Sequence, residues 1–190
     1  MTRPEIEINT LVRTAQEGDR RAFSRIVEIL MDPVVALTYR MTGDRETALD
    51  LAQDTFVSAW EKLAGFRGEA GFASWLYRIA TNKTLNYLKS AAVQRTERLD
   101  ETREATLPGG LEGGDPEEVL EDSRLRQEIL EFLGTLPPQQ RAVFELRFYK
   151  QMSFDEIART IGRAVGTAKT HYRQAVTKLR THLKEKGWHQ

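Results

Sequence analysis

The sequence predicts an all-α fold: two small helical domains joined by a flexible acidic linker. Three observations carry that expectation. Apolar residues recur every three or four positions almost throughout the chain. No stretch combines period-two alternation with β-branched residues. Between the two helical parts, the segment 96–116 holds Pro108-Gly109-Gly110, Gly113-Gly114, an excess of acids and few apolar residues, so burial there cannot offset the entropy of ordering. The expected boundaries are therefore 1–95, a linker over 96–116, and 117–190.

The first helix is expected over roughly 5–17, stopping at Gly18-Asp19. A second carries Phe23, Ile26, Val27 and Leu30 on one face and ends at Gly43; Pro33 should kink or split it. The third, from Asp44 to about Leu63, sets Ala48, Leu51, Ala52, Thr55, Phe56, Ala59, Trp60 and Leu63 in one apolar stripe. After the glycine-rich loop 65–71, a fourth is expected from Phe72 to about Ala91, with Phe72, Trp75, Leu76, Ile79 and Ala80 inward. Order should resume at Asp115-Pro116, a cap followed by proline at the first helical position. Breaks then fall at Leu136-Pro137-Pro138, at 150–153 and at 162–166.

The composition is globular, with 40% hydrophobic and 29% charged residues over 190 positions, and there is no cysteine. Disulfides, zinc ribbons and thiol chemistry are thus excluded, and the cytoplasm is the expected compartment. No run approaches the ~18 apolar residues of a membrane span, so neither secretion nor membrane insertion is expected. Net charge is zero, but it is unevenly spread. Residues 1–95 carry 13 Lys/Arg against 12 Asp/Glu, 96–133 carry 4 against 12, and 134–190 carry 11 against 4. A basic last third points to an anionic partner.

That basic third has a recognisable form. Ser153-Phe154-Asp155-Glu156 is a capping box; a short helix with Ile157, Ala158 and Ile161 inward ends at Gly162, and a long basic helix follows Gly166-Thr167. Short helix, glycine-containing turn and second helix make a helix-turn-helix. In the second helix Ala168, Tyr172, Ala175, Val176, Leu179 and Leu183 keep an inward rhythm, whereas Lys169, Thr170, Arg173, Thr177 and Arg180 face the other way. Lys169 and Arg173 suit guanine edges or phosphates, Thr170 a base or phosphate, and Gln174 adenine. Free amides at Gly166 and Thr167 favour a backbone phosphate. A lone basic helix is more simply a solvated one, but the turn, the box and the local charge together favour duplex DNA. His171 and His182 lie roughly 16 Å apart along a helix, too far to share a metal ion, and with His189 read as solvated or phosphate-facing.

Asp50, Gln53, Asp54, Val57 and Glu61 share one outward face of the third helix, which by residue type is either a solvated strip or a partner surface. The fourth helix mixes Trp75, Tyr77 and Tyr87 with Arg78, Asn82, Lys83, Asn86 and Lys89. Aromatics that stack on unpaired bases, beside cations that follow the backbone, suit single-stranded nucleic acid; Trp75 itself reads as core. No catalytic triad, metal set or phosphate loop accompanies these residues, so neither an enzyme nor a cofactor is expected.

Three groups of segments carry a resemblance to the sigma-70 family of bacterial sigma factors, in its extracytoplasmic-function group. Tyr39-Arg40-Met41-Thr42-Gly43-Asp44 with Asp50-Leu51-Ala52-Gln53-Asp54-Thr55-Phe56 resembles the region 2 segment that docks on the clamp helices of the polymerase largest subunit. Phe66-Arg67-Gly68-Glu69 with the run from Phe72 to Asn82 resembles the part that opens the minus-10 element and captures a flipped base in a loop pocket. Leu136-Pro137-Pro138-Gln139-Gln140-Arg141, Glu156-Ile157-Ala158 and the run from Ala164 to Thr170 resemble the region 4 helix-turn-helix that reads the minus-35 element. The chain departs from the family pattern at Ala164, commonly proline, and at Ala168, commonly a larger aliphatic residue.

The resemblance implies Asp50, Gln53, Asp54 and Val57 as polymerase contacts, and Phe66, Arg67, Arg78, Asn82, Lys83 and Asn86 as minus-10 strand contacts. It implies Gly166, Thr167, Lys169, Thr170, Arg173 and Gln174 as minus-35 duplex contacts. The partners it implies are core RNA polymerase, through its clamp helices and flap region, promoter DNA, and an anti-sigma factor. A helix-turn-helix regulator acting without polymerase remains the alternative, distinguished by a palindromic site bound by a dimer. A sigma mimic that binds no DNA is opposed by the intact Lys169, Thr170, Arg173 face.

Overall fold

The computed structural model describes residues 3–68, 70–97 and 116–188, and among these it contains eight α-helices and no strand. They are α1 (Arg3–Gln16), α2 (Arg20–Thr42), α3 (Arg45–Lys62), α4 (Phe72–Glu97), α5 (Pro116–Thr135), α6 (Pro138–Phe144), α7 (Phe154–Ile161) and α8 (Val165–Glu185). The linker expectation for 98–115 lies outside the described residues.

Short polar side chains start α2, α3 and α7, and left-handed glycines stop α2 and α7. The Asp19 carboxylate accepts from the amides of Arg21 and Ala22, and Asp44 accepts from Thr47 at 2.8 Å. Gly43 (φ 75°) closes α2 and Gly162 (φ 64°) closes α7, a conformation that a Cβ would strain. Ser153 and Glu156 form both halves of the capping box.

Pro33 does not split α2, which runs through it as one helix. Proline inside a helix costs on the order of 3 kcal/mol. Here Ile26 and Leu30 before it and Val34, Leu37 and Met41 after it are all buried in one core, at roughly 1.5–3 kcal/mol for each large side chain. Burial on both sides therefore outweighs the missing amide. The Thr38 hydroxyl, 2.9 Å from the Ala48 carbonyl, ties α2 to α3 inside that core.

A feature absent from the sequence reading interrupts the C-terminal half. Residues Glu145–Tyr149 form a π-type turn, closed by the Lys150 amide on the Glu145 carbonyl at 3.2 Å and followed by Gln151 at φ 53°. The two halves also share one core. Met41, Leu76 and Ala80 of the N-terminal half belong to the same buried cluster as Ala142, Val143, Leu146, Ile157 and Ala158. A smaller cluster of Phe132, Leu133, Leu136, Phe144 and Ala175 holds α5 and α6 to α8.

Ser153→Ala removes the hydroxyl half of the box and should destabilise the chain by about 1 kcal/mol, read as a lowered urea midpoint at unchanged slope. An unchanged midpoint would show that the box contributes nothing to stability.

Candidate nucleic-acid and polymerase interfaces

On α8, Ala168 and Ala175 are buried and Tyr172, Val176, Leu179 and Leu183 are half-buried, so the helix is fixed by that side. Lys169, Thr170, Arg173, Gln174, Thr177 and Arg180 are exposed on the other. Gln174 is tethered from α6, where Gln140 donates to its carbonyl oxygen at 3.1 Å. The helix starts at Val165 with Ala164 as a cap that offers no side-chain acceptor. The amides of Gly166 and Thr167 thus lie in a first turn with no side-chain cap, next to the exposed cations, which suits a phosphate.

On α3, Asp50, Gln53, Asp54, Val57 and Glu61 are all exposed, as the helical spacing predicts. Val57 is 58% exposed and Leu49, eight residues earlier on the same face, is 37% exposed. Two exposed aliphatic residues framed by carboxylates form an amphipathic strip suited to another protein. Asp54 also lies 3.9 Å from Lys83 of α4, a surface ion pair that contributes at most about 1 kcal/mol. It joins a residue of the expected polymerase face to one of the expected strand contacts.

On α4, Arg78, Asn82, Asn86 and Lys89 are exposed. Tyr77 is not available in the same way, because the Lys150 ammonium sits 4.5 Å from its ring centroid. Trp75 is half-buried and packs on Phe66 and Phe72, with centroids 5.0 and 5.3 Å away. Phe66 thereby belongs to an aromatic group that anchors the loop, and Arg67 is exposed beside it.

The loop has a second anchor that residue type did not signal. Gln16, at the end of α1, donates its side-chain amide to the carbonyls of Leu63 at 2.9 Å and Phe66 at 2.8 Å. A glutamine on a helix terminus carries no mark of a contact 50 residues away. The loop borders a cleft of about 180 Å³ whose near wall includes Phe66, Arg67 and Arg78 and whose far wall is formed by Met152, just before α7, and by Glu156 and Arg159 of α7. The expected single-strand site thus faces part of the helix-turn-helix itself.

What brings α7 there is a polar contact between the halves. Glu145 has no exposed surface, and the Arg40 Nε lies 2.8 Å from both of its carboxylate oxygens. The Arg40 guanidinium lies 4.0 Å over the Tyr149 ring. Arg141 donates to the Met41 carbonyl, one of those left free at the end of α2, at 2.7 Å, and Lys150 donates to the Pro33 carbonyl at 2.8 Å. Burial pushes the Glu145 carboxyl up to about 7 despite the opposing pull of Arg40, Lys150 and Arg141. Burial likewise pulls Lys150 down to about 8, with Arg40 adding to the effect. Arg40, Arg141 and Glu145 read in sequence as ordinary charged residues of helices, and Lys150 falls at an expected break.

The histidine expectation needs correction. His182 is half-buried, 3.3 Å from a Glu128 carboxylate oxygen and packed on Phe132, so it clasps α8 to α5. The His171 Nδ1 is buried without a partner. His189 lies outside the described residues.

Comparison with known proteins gives concordant findings. The Sigma-70 region 2 family model matches residues 26–94, and the Sigma-70, region 4 model matches 126–179. The chain is 32% identical to the ECF RNA polymerase sigma factor SigW of Bacillus subtilis over 189 residues, covering 95% of this chain and 99% of that one. It is 32% identical to the ECF RNA polymerase sigma-E factor of Escherichia coli K12 over 165 residues, covering 84% and 85%. Among solved structures it is similar to CnrH, seen in complex with the cytosolic domain of CnrY, with TM-score 0.65, 27% identity and coverage of 94% and 98%. The Bartonella quintana sigma factor RpoE, solved with the anti-sigma factor NepR, shares the fold at TM-score 0.67 and 23% identity, covering 85% and 96%.

Gln16→Ala should free the loop carbonyls and leave α1 in place. Amide exchange across 63–68 is expected to accelerate several-fold while the global unfolding midpoint shifts by less than about 1 kcal/mol. Unaltered exchange would remove Gln16 from any role in holding the loop.

Proposed function

The chain belongs to the sigma-70 family, in its extracytoplasmic-function group, and from that membership together with the exposed face of α8 we propose a residue-level division of labour for promoter recognition. As a sigma factor it binds core RNA polymerase, is not an enzyme, and directs promoter-specific initiation of transcription. The unit over 1–95 docks the polymerase and handles the minus-10 element, and the unit over 117–190 reads the minus-35 duplex. The observation that carries this reading is the exposed row of Lys169, Thr170, Arg173 and Gln174 beside the uncapped start of α8. Lys169 and Arg173 contact guanine edges or phosphates, Thr170 and Gln174 bases, and the amides of Gly166 and Thr167 a phosphate.

Asp50, Gln53, Asp54 and Val57 form the polymerase surface. Val57 supplies the desolvated centre and the acids its rim, with the clamp helices and flap region of the polymerase as the facing parts. Phe66 and Arg67 frame the pocket for a flipped minus-10 base, and Arg78, Asn82, Lys83 and Asn86 follow the unpaired strand. Each contact is individually weak, and joining them through one chain raises their effective concentration at a two-part promoter. The setting is the cytoplasm, in a stress or envelope response. A partner protein of the anti-sigma kind holds the chain inactive, a reading supported by CnrH, a structural neighbour found with the cytosolic domain of CnrY. Among the described residues no helix is long and apolar enough to cross a membrane.

Run-off transcription with core polymerase, with and without this chain, tests the assignment on a promoter library. Lys169→Ala and Arg173→Ala should each weaken promoter binding by the holoenzyme by about 1–3 kcal/mol without altering binding to core. Undiminished transcription from both variants would remove α8 from minus-35 reading. Val57→Asp should instead lower affinity for core polymerase at least tenfold while leaving the urea midpoint in place, since the residue is exposed. Wild-type core affinity would exclude this face as the docking surface.

A further inference from the structure

One side chain on the exposed row of α8 is not free to set its own orientation. A glutamine amide has two unlike ends, a carbonyl oxygen that accepts and an NH2 group that donates, and the end facing a base edge decides what is read. The carbonyl oxygen of Gln174 is occupied, since the Gln140 amide nitrogen of α6 donates to it at 3.1 Å. Gln140 is itself oriented: its own oxygen lies 3.4 Å from the Lys178 ammonium, a group with donors and no acceptor. Gln174 and Lys178 are one turn apart on α8, so Gln140 reaches both. Turning Gln140 round would set its NH2 group against the ammonium. The frame that carries it is also fixed. Phe144, one turn beyond Gln140, is buried with Ala175, the residue after Gln174. Arg141 ties the start of α6 to the Gly134 and Leu136 carbonyls at 2.7 and 3.3 Å.

We propose that Gln140 is a positioning residue for base readout: with Lys178 it holds the Gln174 carbonyl inward, so that Gln174 offers the minus-35 duplex its NH2 group alone and selects guanine over adenine on the strand it contacts. The inference rests on the sigma-factor reading of α8 and departs from the adenine pairing that Gln174 suggests by residue type. Adenine presents an N7 acceptor beside an N6 donor, so a glutamine needs both of its ends to pair with it. Guanine presents two acceptors, N7 and O6, and an NH2 group suits both. Releasing the Gln174 oxygen for adenine breaks the bond to Gln140, and a neutral hydrogen bond of that kind corresponds to a bias of about two- to tenfold. Lys169, Arg173 and Gln174 then present donors alone, and of that row only the Thr170 hydroxyl can accept.

The test uses the full chain bound to core polymerase, with promoter affinity measured for every base at each minus-35 position. Gln174→Ala identifies the position this residue reads, as the one where base preference flattens. There the wild type is expected to favour guanine over adenine by about two- to tenfold. Gln140→Glu reverses the orientation: a carboxylate only accepts, so Gln174 turns its NH2 group inward and its oxygen outward. The guanine-to-adenine ratio should then invert, with cytosine, whose N4 donates, rising alongside adenine. The added negative charge lowers affinity for all sequences alike and leaves that ratio untouched. Gln140→Ala frees the amide and should draw the ratio toward adenine; it carries the test where the glutamate variant binds too weakly to measure. A wild-type preference for adenine, a ratio that Gln140→Glu fails to invert or that Gln140→Ala leaves unchanged in its place, or a Gln174→Ala variant that flattens no position overturns the relay. Lys169→Ala and Arg173→Ala on the same library separate the two readings. If they weaken promoter binding while the Gln140 variants move no ratio, the relay alone falls; if neither weakens it, the minus-35 reading falls as well.

Discussion

A carboxylate with no exposed surface has to find its counter-charge inside the protein, and in this chain the counter-charge is carried by a different helical unit. Glu145 and Arg40 are 105 positions apart and meet only when the C-terminal half lies against α2. The remaining contacts between the halves follow from that seating. With Arg40 held over Tyr149, Lys150 reaches the Pro33 carbonyl and Arg141 the last turn of α2. Leu146 and Val143 then enter the core built by α2 and α4. A buried ion pair of this kind gives geometric definition more readily than net stability, because desolvation cancels much of its attraction. The apolar burial around it supplies the cohesion.

Much of the fold was legible because local chemistry and tertiary role agree. Asp19, Asp44 and Ser153 start helices, and Gly43 and Gly162 end them, for reasons fixed within four residues of each. The outward row of α8 and the outward strip of α3 followed from spacing alone, since the opposite faces are apolar enough to decide which side goes in. The capping box also fixed where α7 begins, and hence the register of the whole helix-turn-helix.

What the sequence concealed depends on contacts between distant segments. Arg40, Glu145, Arg141 and Lys150 are residue types usual on a solvated surface, and only proximity makes them an interface. The π-type turn has no composition signature, yet it precedes Lys150 and the left-handed Gln151 that lead the chain into α7. Pro33 does not split α2, since its local cost is offset by apolar residues buried on both sides of it. His182 read as solvated or phosphate-facing and is instead half-buried against Phe132 and Glu128.

The amide of Gln16 has a practical implication for how such chains are cut. The residues similar to region 2 begin at 26, yet the loop that closes the aromatic group of Phe66, Phe72 and Trp75 is held by a side chain ten positions upstream of that border. A fragment trimmed to the matched span would keep every residue expected to touch the promoter strand and lose the strut that sets their loop. Borders drawn by likeness and borders drawn by mechanical support do not coincide in this protein, and a working fragment has to respect the second.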